Sequence, residues 1–227
     1  MNIKRVIKCI ASIVLTIVPA HAQGTFQNLN FEQAAPISAG DPSNPGAVTA
    51  ISALPFWSVY YGNSQQTEVE YNEMATGSTR VALESATSPV FPEIDGNYSV
   101  LLQGGLSDFA ASISQTGLIP TGSQSLLFEA EPGPGTLDIS IGSQNISFTA
   151  VGTGANYTLY GANISAWDGD TETLTISALE GYGGGNNWEI DDISFSTNVV
   201  VSPEPNMIAL AAIGGLLFGA RKRFARR

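Results

Sequence analysis

Between residues 23 and 202 the chain has no cysteine, no histidine and no lysine, and a single arginine, Arg80. The one cysteine and the one histidine of the sequence, Cys9 and His21, both precede that stretch. Losing cysteine removes disulfides and thiolate nucleophiles; losing histidine removes the imidazole base and the zinc sites that depend on it. Without lysine there is neither a Ser–Lys pair nor a Schiff base. A glycoside hydrolase needs only two carboxylates, so that class survives the exclusions, but no pair among the acidic residues stands out for the role.

Positive charge is scarce in the same region. Of the 9 basic residues, Lys4, Arg5 and Lys8 lie at one end and Arg221, Lys222, Arg223, Arg226 and Arg227 at the other. Of the 20 acidic residues only Glu204 lies outside 23–202, which leaves nineteen carboxylates against one guanidinium. Such a surface repels nucleic acid and anionic lipid and draws in divalent cations. Most of these carboxylates have no basic partner, so each must be solvated or bound to a cation.

Long apolar runs occur only at the two ends. Lys4, Arg5 and Lys8 precede an apolar stretch over 10–19, and Ala20-His21-Ala22 supplies small residues flanking a cleavage position. This is the layout of a secretory signal over 1–22, cleaved after Ala22. At the other end, Pro203-Glu204-Pro205 is followed by fourteen uncharged residues, 207–220, and then by the basic cluster 221–227. The prolines hold the chain extended ahead of a predicted helix. Fourteen residues fall short of the roughly 20 that cross a bilayer core, but flanking arginines that snorkel extend the reach, and the cluster would face the cytoplasm.

The order of triplet, helix and basic cluster resembles the PEP-CTERM sorting signal of exopolysaccharide-producing Gram-negative bacteria, over 199–227 alone. The resemblance implies that Pro203, Glu204 and Pro205 are read by an exosortase-type membrane enzyme, with Arg221, Lys222, Arg223, Arg226 and Arg227 as the basic anchor. It also implies export through the inner membrane, transient or lasting anchoring there, and a destination in the cell envelope, cell surface or extracellular matrix. A plain C-terminal anchor is the alternative.

About 180 residues remain between the two signals, enough for one domain with a sizeable core. Helical periodicity is absent there and period-2 alternation is clear. Leu137, Ile139 and Ile141 alternate with Asp138 and Ser140; Ile146, Phe148 and Ala150 follow after Gly142; Leu174, Ile176 and Ala178 alternate with Thr173, Thr175 and Ser177. Further strands are predicted near 56–61, 68–71, 80–83, 98–103, 111–115, 125–130, 157–162 and 188–195. Eight to eleven short strands separated by Gly- and Pro-rich stretches predict an all-β domain over 23–198, a single antiparallel sandwich of jelly-roll type.

The landmarks Asn30-Phe31-Glu32, Pro55-Phe56-Trp57, Asp95-Gly96-Asn97-Tyr98-Ser99, Ile113-Ser114-Gln115 and Trp188-Glu189-Ile190-Asp191-Asp192-Ile193 together resemble galactose-binding-like jelly rolls, including carbohydrate-binding modules. That resemblance implies a structural calcium joining Glu32 to Asp191 or Asp192. Read from the residues alone, Asp191 and Asp192 are adjacent in an apolar strand, so one would point inward and want a cation unless a bulge re-aims it. Asp168-Gly169-Asp170 begins like a calcium loop, but Thr173 and Leu179 stand where such a loop needs glycine and glutamate; a turn before a strand is the reading kept. Among aromatics, Trp57 and Trp188 read as core, while Trp167 and Tyr182, beside polar loops, are the candidates for stacking on a sugar ring. The expected function is a non-catalytic, exported envelope or matrix protein that binds exopolysaccharide. A self-assembling surface protein and a small two-carboxylate glycoside hydrolase are the alternatives.

Overall fold

A computed structural model describes residues 24–72, 77–106, 109–181 and 186–200. The predicted signal helix, the sorting triplet, the apolar helix, the basic cluster and Tyr182 lie outside the described residues. The strands in chain order are β1 (Ala47–Thr49), β2 (Ser58–Tyr61), β3 (Ser64–Gln66), β4 (Glu68–Tyr71), β5 (Arg80–Glu84), β6 (Ser99–Gly104) and β7 (Ala111–Leu118). They continue with β8 (Ser125–Pro132), β9 (Leu137–Ile141), β10 (Gln144–Ile146), β11 (Phe148–Thr153), β12 (Thr158–Asn163), β13 (Thr171–Ala178) and β14 (Asn186–Ser196). One short helix, α1 (Ala50–Ala53), follows β1.

The strands form two sheets. An eight-stranded sheet runs β1-β4-β5-β6-β14-β8-β12-β11, and a six-stranded sheet runs β10-β9-β13-β7-β2-β3. Alternating side chains from both inner faces meet in one core: Val100, Leu102, Leu126, Phe128 and Ile190 from the larger sheet, Ile113, Ile139, Leu174 and Ile176 from the smaller. Phe128 stacks on Tyr160 with ring centroids 5.4 Å apart, and Phe148 meets both edge-on. Such pairs add about 0.5–1.5 kcal/mol beyond the area they bury. Trp57 and Trp188 are core residues, as their alternation predicts.

Two features depart from the sequence reading. The sandwich is not purely antiparallel, because β4 and β5 pair in parallel through Glu70–Ala82 and Tyr71–Leu83. Their connection passes through 72–79, and hydrophobic alternation carries no information about strand direction. The strand expected over 146–150 is divided: Gln144–Ile146 pairs with β9 in one sheet, and Phe148–Thr153 pairs with β12 in the other. The chain changes sheets at Ser147, a corner that keeps the period-2 pattern and so leaves no mark in it. The hairpin before it has a two-residue loop with Gly142 first, at φ 60°, the position where a type II′ turn demands glycine.

Candidate functional site

Strand β14 lies between β6 and β8 at the centre of the larger sheet, and it gathers the acidic residues. Its register with β8 runs Asp191–Glu129, then Ser194–Leu127, so β14 carries one extra residue. That β-bulge is centred on Asp192, whose φ of 43° is a left-handed value that aspartate tolerates better than most residues. Ile190 and Ile193 both reach the core across the bulge, and neither aspartate has to enter it.

Asp191 therefore sits on the outer face of the sheet, yet it is only 1% exposed. The β5–β6 connection, residues 85–98, roofs that face. The Asp95 N–H donates to Asp191 Oδ2 at 3.3 Å and the Asp192 N–H to Oδ1 at 2.7 Å. Glu32 holds the same connection from the side: it accepts the Asn97 N–H at 2.7 Å, the Asn97 side-chain amide at 2.6 Å and the Tyr98 N–H at 3.0 Å. Gly96, at φ 68°, lies where a Cβ would collide with the Glu32 carboxylate. The residues before Glu32 are themselves anchored, with Ile193 N–H donating to Leu29 O at 3.0 Å and Trp57 Nε1 to Asn28 O at 3.0 Å. The structure thus brings Glu32, Asp191 and Asp192 around one turn, Asp95–Tyr98, whose N–H groups occupy oxygens of the first two. Among the described residues, no group of three or more acidic side chains is arranged to hold a metal ion.

The electrostatics follow from burial without basic partners. Desolvation pushes Asp191 up to about 8, with the charges of Asp192 and Glu129 adding to the rise and the two N–H donors opposing it. Desolvation, then the charges of Asp95 and Glu32, raise Asp192; desolvation also raises Glu129, against a hydrogen bond from Tyr157. Glu32 shows the opposite balance, because the Asn97 and Tyr98 donors outweigh its desolvation and hold it below the usual range. A second group lies nearby on the same face. Buried Glu189 accepts from Ser99 Oγ and is pushed up to about 8, by desolvation first and then by Glu84, Glu131 and Glu93. Desolvation raises Glu84 to about 7 against a bond from Ser88. Arg80 is engaged elsewhere, 3.1 Å from Glu70.

The outer face of the six-stranded sheet has the contrary character. Cross-strand register lines up Asn145, Ser140, Thr175, Ser114 and Ser58 in one row, and Asp138, Ser177, Ser112, Tyr60 and Gln65 in the next. Thr116 and Thr173 share a hydroxyl–hydroxyl bond of 2.7 Å in a third row. Asp138 is the one carboxylate in these rows, and the Asn145 amide donates to it at 3.2 Å. Period-2 alternation reveals these Ser and Thr positions one strand at a time; the rows exist only once the register is known.

Trp167 ends a short 3₁₀ turn, Ser165–Trp167, and is half-buried against the core rather than standing clear of it. Asp168 and Asp170 belong to the turn entering β13, where Asp168 Oδ1 accepts the Gly122 N–H at 2.5 Å.

Comparison with known proteins adds little. No family model and no curated protein matches the chain. A solved structure of a mutant family 29 carbohydrate-binding module aligns over 65% of this chain and 97% of its own, at 14% identity and a TM-score of 0.34.

The raised carboxylates fix a pH dependence. A carboxyl whose pKa is higher folded than unfolded is stabilising while protonated, and that contribution disappears as pH rises through the folded value. The window starts at about 4, the unfolded value, and runs to about 7 for Glu84 and about 8 for Glu189 and Asp191. In cation-free buffer the melting temperature should fall by several degrees between pH 5 and pH 9, read by circular dichroism. Glu189→Gln, which keeps the shape without the titration, should flatten that slope.

Proposed function

We propose that this chain is an exported, non-catalytic protein of the cell envelope or extracellular matrix whose β-sandwich, of jelly-roll type, binds exopolysaccharide. The observation that carries this reading is the hydroxyl-rich face of the six-stranded sheet, with Asp138 as the one carboxylate in its rows, in a domain of nineteen carboxylates and one arginine. Hydroxyl rows pair with a neutral, hydroxyl-bearing polymer through hydrogen bonds that need no counterion. The carboxylates that a hydrolase would require are instead concentrated around β14, where Glu84, Glu189 and Asp191 are buried beneath the 85–98 connection. Affinity electrophoresis tests the reading: mobility of the full chain should fall in gels containing a neutral polysaccharide. Unchanged mobility together with ordered self-assembly would favour a structural surface protein.

Sorting belongs to the same proposal. Pro203-Glu204-Pro205, the apolar segment 207–220 and the five basic residues of 221–227 would be processed by an exosortase-type enzyme in the inner membrane. Intact-mass spectrometry of the protein from its native envelope should then find a new C-terminus near Pro205. An intact Arg227 in the membrane fraction would make the segment a permanent anchor.

Calcium enters as a stabiliser. An ion held through Glu32 with Asp191 or Asp192 would offset the desolvation that raises Asp192 and the repulsion from Asp95 and Glu32 that adds to it, in exchange for N–H contacts from Asp95, Asn97 or Tyr98. A ligand bound only to the folded state adds about 2.7 kcal/mol at a hundredfold excess over its dissociation constant. Millimolar calcium should therefore raise the melting temperature by roughly 5–10 °C over chelator, with Asp191→Ala or Asp192→Ala, whichever removes the second ligand, abolishing the gain. Superimposed melts in calcium and chelator would remove the ion from the account.

A further inference from the structure

The six-stranded sheet's outer face runs into an open groove of about 530 Å³ at its β2–β3 end. Ile51 of α1 and Phe56 form its apolar wall, and Ser58, Gln65, Gln66 and Thr67 supply hydroxyls and amides; no ionisable side chain lines it. Ser58 and Gln65 belong both to this groove and to the hydroxyl rows, so the two surfaces are continuous.

The wall breaks two rules of a soluble domain. Phe56 is 53% exposed and Ile51 81% exposed, although the core beside them buries smaller apolar residues completely. Phe56 also has a φ of 73°. The Trp57 N–H closes a turn on Leu54 O at 3.1 Å, with Pro55 second and Phe56 third, the arrangement of a type II turn. Its third position takes glycine or asparagine because other side chains are strained there. A bulky aromatic held in a disfavoured backbone conformation, with its ring turned to solvent, is an expense that folding does not explain.

Building on the glycan-binding reading above, we propose that the groove beside Phe56 is a saccharide subsite for a neutral polysaccharide. The Phe56 ring and Ile51 would take the apolar C–H face of one sugar, while Gln65, Gln66 and Ser58 would take its hydroxyl edge. Neighbouring sugars would extend over Tyr60 and the Ser and Thr rows. Neutrality decides the class: the groove offers no cation to an acidic polymer, and the domain's carboxylates repel one.

The test uses affinity electrophoresis of the full chain in detergent micelles, in gels containing hydroxyethyl cellulose, galactomannan, dextran or alginate. At least one neutral polymer should retard the parent and alginate should not. Phe56→Gly should weaken the retention tenfold or more, and Gln65→Ala should weaken it severalfold. Thermal melts separate function from structure. Phe56→Gly relieves the turn, so its melting temperature should hold or rise by about 2 °C, whereas a ring needed for packing would lower it. Retention by a neutral polymer that survives Phe56→Gly unchanged would overturn the groove while leaving glycan binding in place. A parent retarded by none of the neutral polymers would overturn both. Concentration-dependent self-association lost in Phe56→Gly, without any glycan effect, would assign the groove to a second copy of the chain.

Discussion

The bulge at Asp192 is the constraint on which the acidic half of the molecule depends. One extra residue in β14 lets Ile190 and Ile193 both face the core and leaves Asp191 on the outer side of the sheet. The carboxylate of Asp191 then accepts from Asp95, which seats the 85–98 connection over β6 and β14. Glu84 and Glu189 on the same face are buried as well, and desolvation raises both. A regular strand would have placed Asp192 among Phe128, Ile190 and Leu102, where an unpaired charge costs far more than a bulge.

Lacking basic side chains, the domain manages its carboxylates in two physical ways. Glu32 accepts two backbone N–H groups and the Asn97 side-chain amide, which together hold it below the usual range against its desolvation. Those under the roof with fewer donors keep their protons toward neutral pH, as Glu189 does with Ser99 as its hydrogen-bond partner. Hydrogen bonds to a charged group are worth roughly twice neutral ones, which is why the Asn97 side chain and the N–H groups of one turn can hold Glu32 low. The arrangement makes the larger sheet responsive to pH, while the rows of the smaller sheet carry one carboxylate, Asp138.

This separation gives the two sheets different chemistry on one core. The eight-stranded sheet is acidic and buried around β14; the six-stranded sheet presents Ser and Thr rows and ends at the Phe56 groove. A polymer lying on the second surface would meet almost none of the charge held by the first. In the aromatic cluster Phe128 and Trp188 are buried, while Phe148 and Tyr160 pack against the same core half-buried.

Much of this was legible in the chain itself. Alternation over 137–141 and 173–178 marked strands because every second side chain must reach the core, and the missing lysine, histidine and cysteine restricted the chemistry before any fold was known. The adjacent aspartates of 191–192 announced a bulge or a cation for the same reason. Other features could not be read there. The parallel pairing of β4 with β5, the change of sheet at Ser147 and the cross-strand rows all depend on which strands lie side by side. Pairing is decided by contacts between residues far apart in sequence, and period-2 alternation is identical for every partner and direction. Phe56 makes the same point at one residue: Pro55-Phe56-Trp57 reads as a strand entrance, and only the closed turn between Leu54 and Trp57 turns its ring outward.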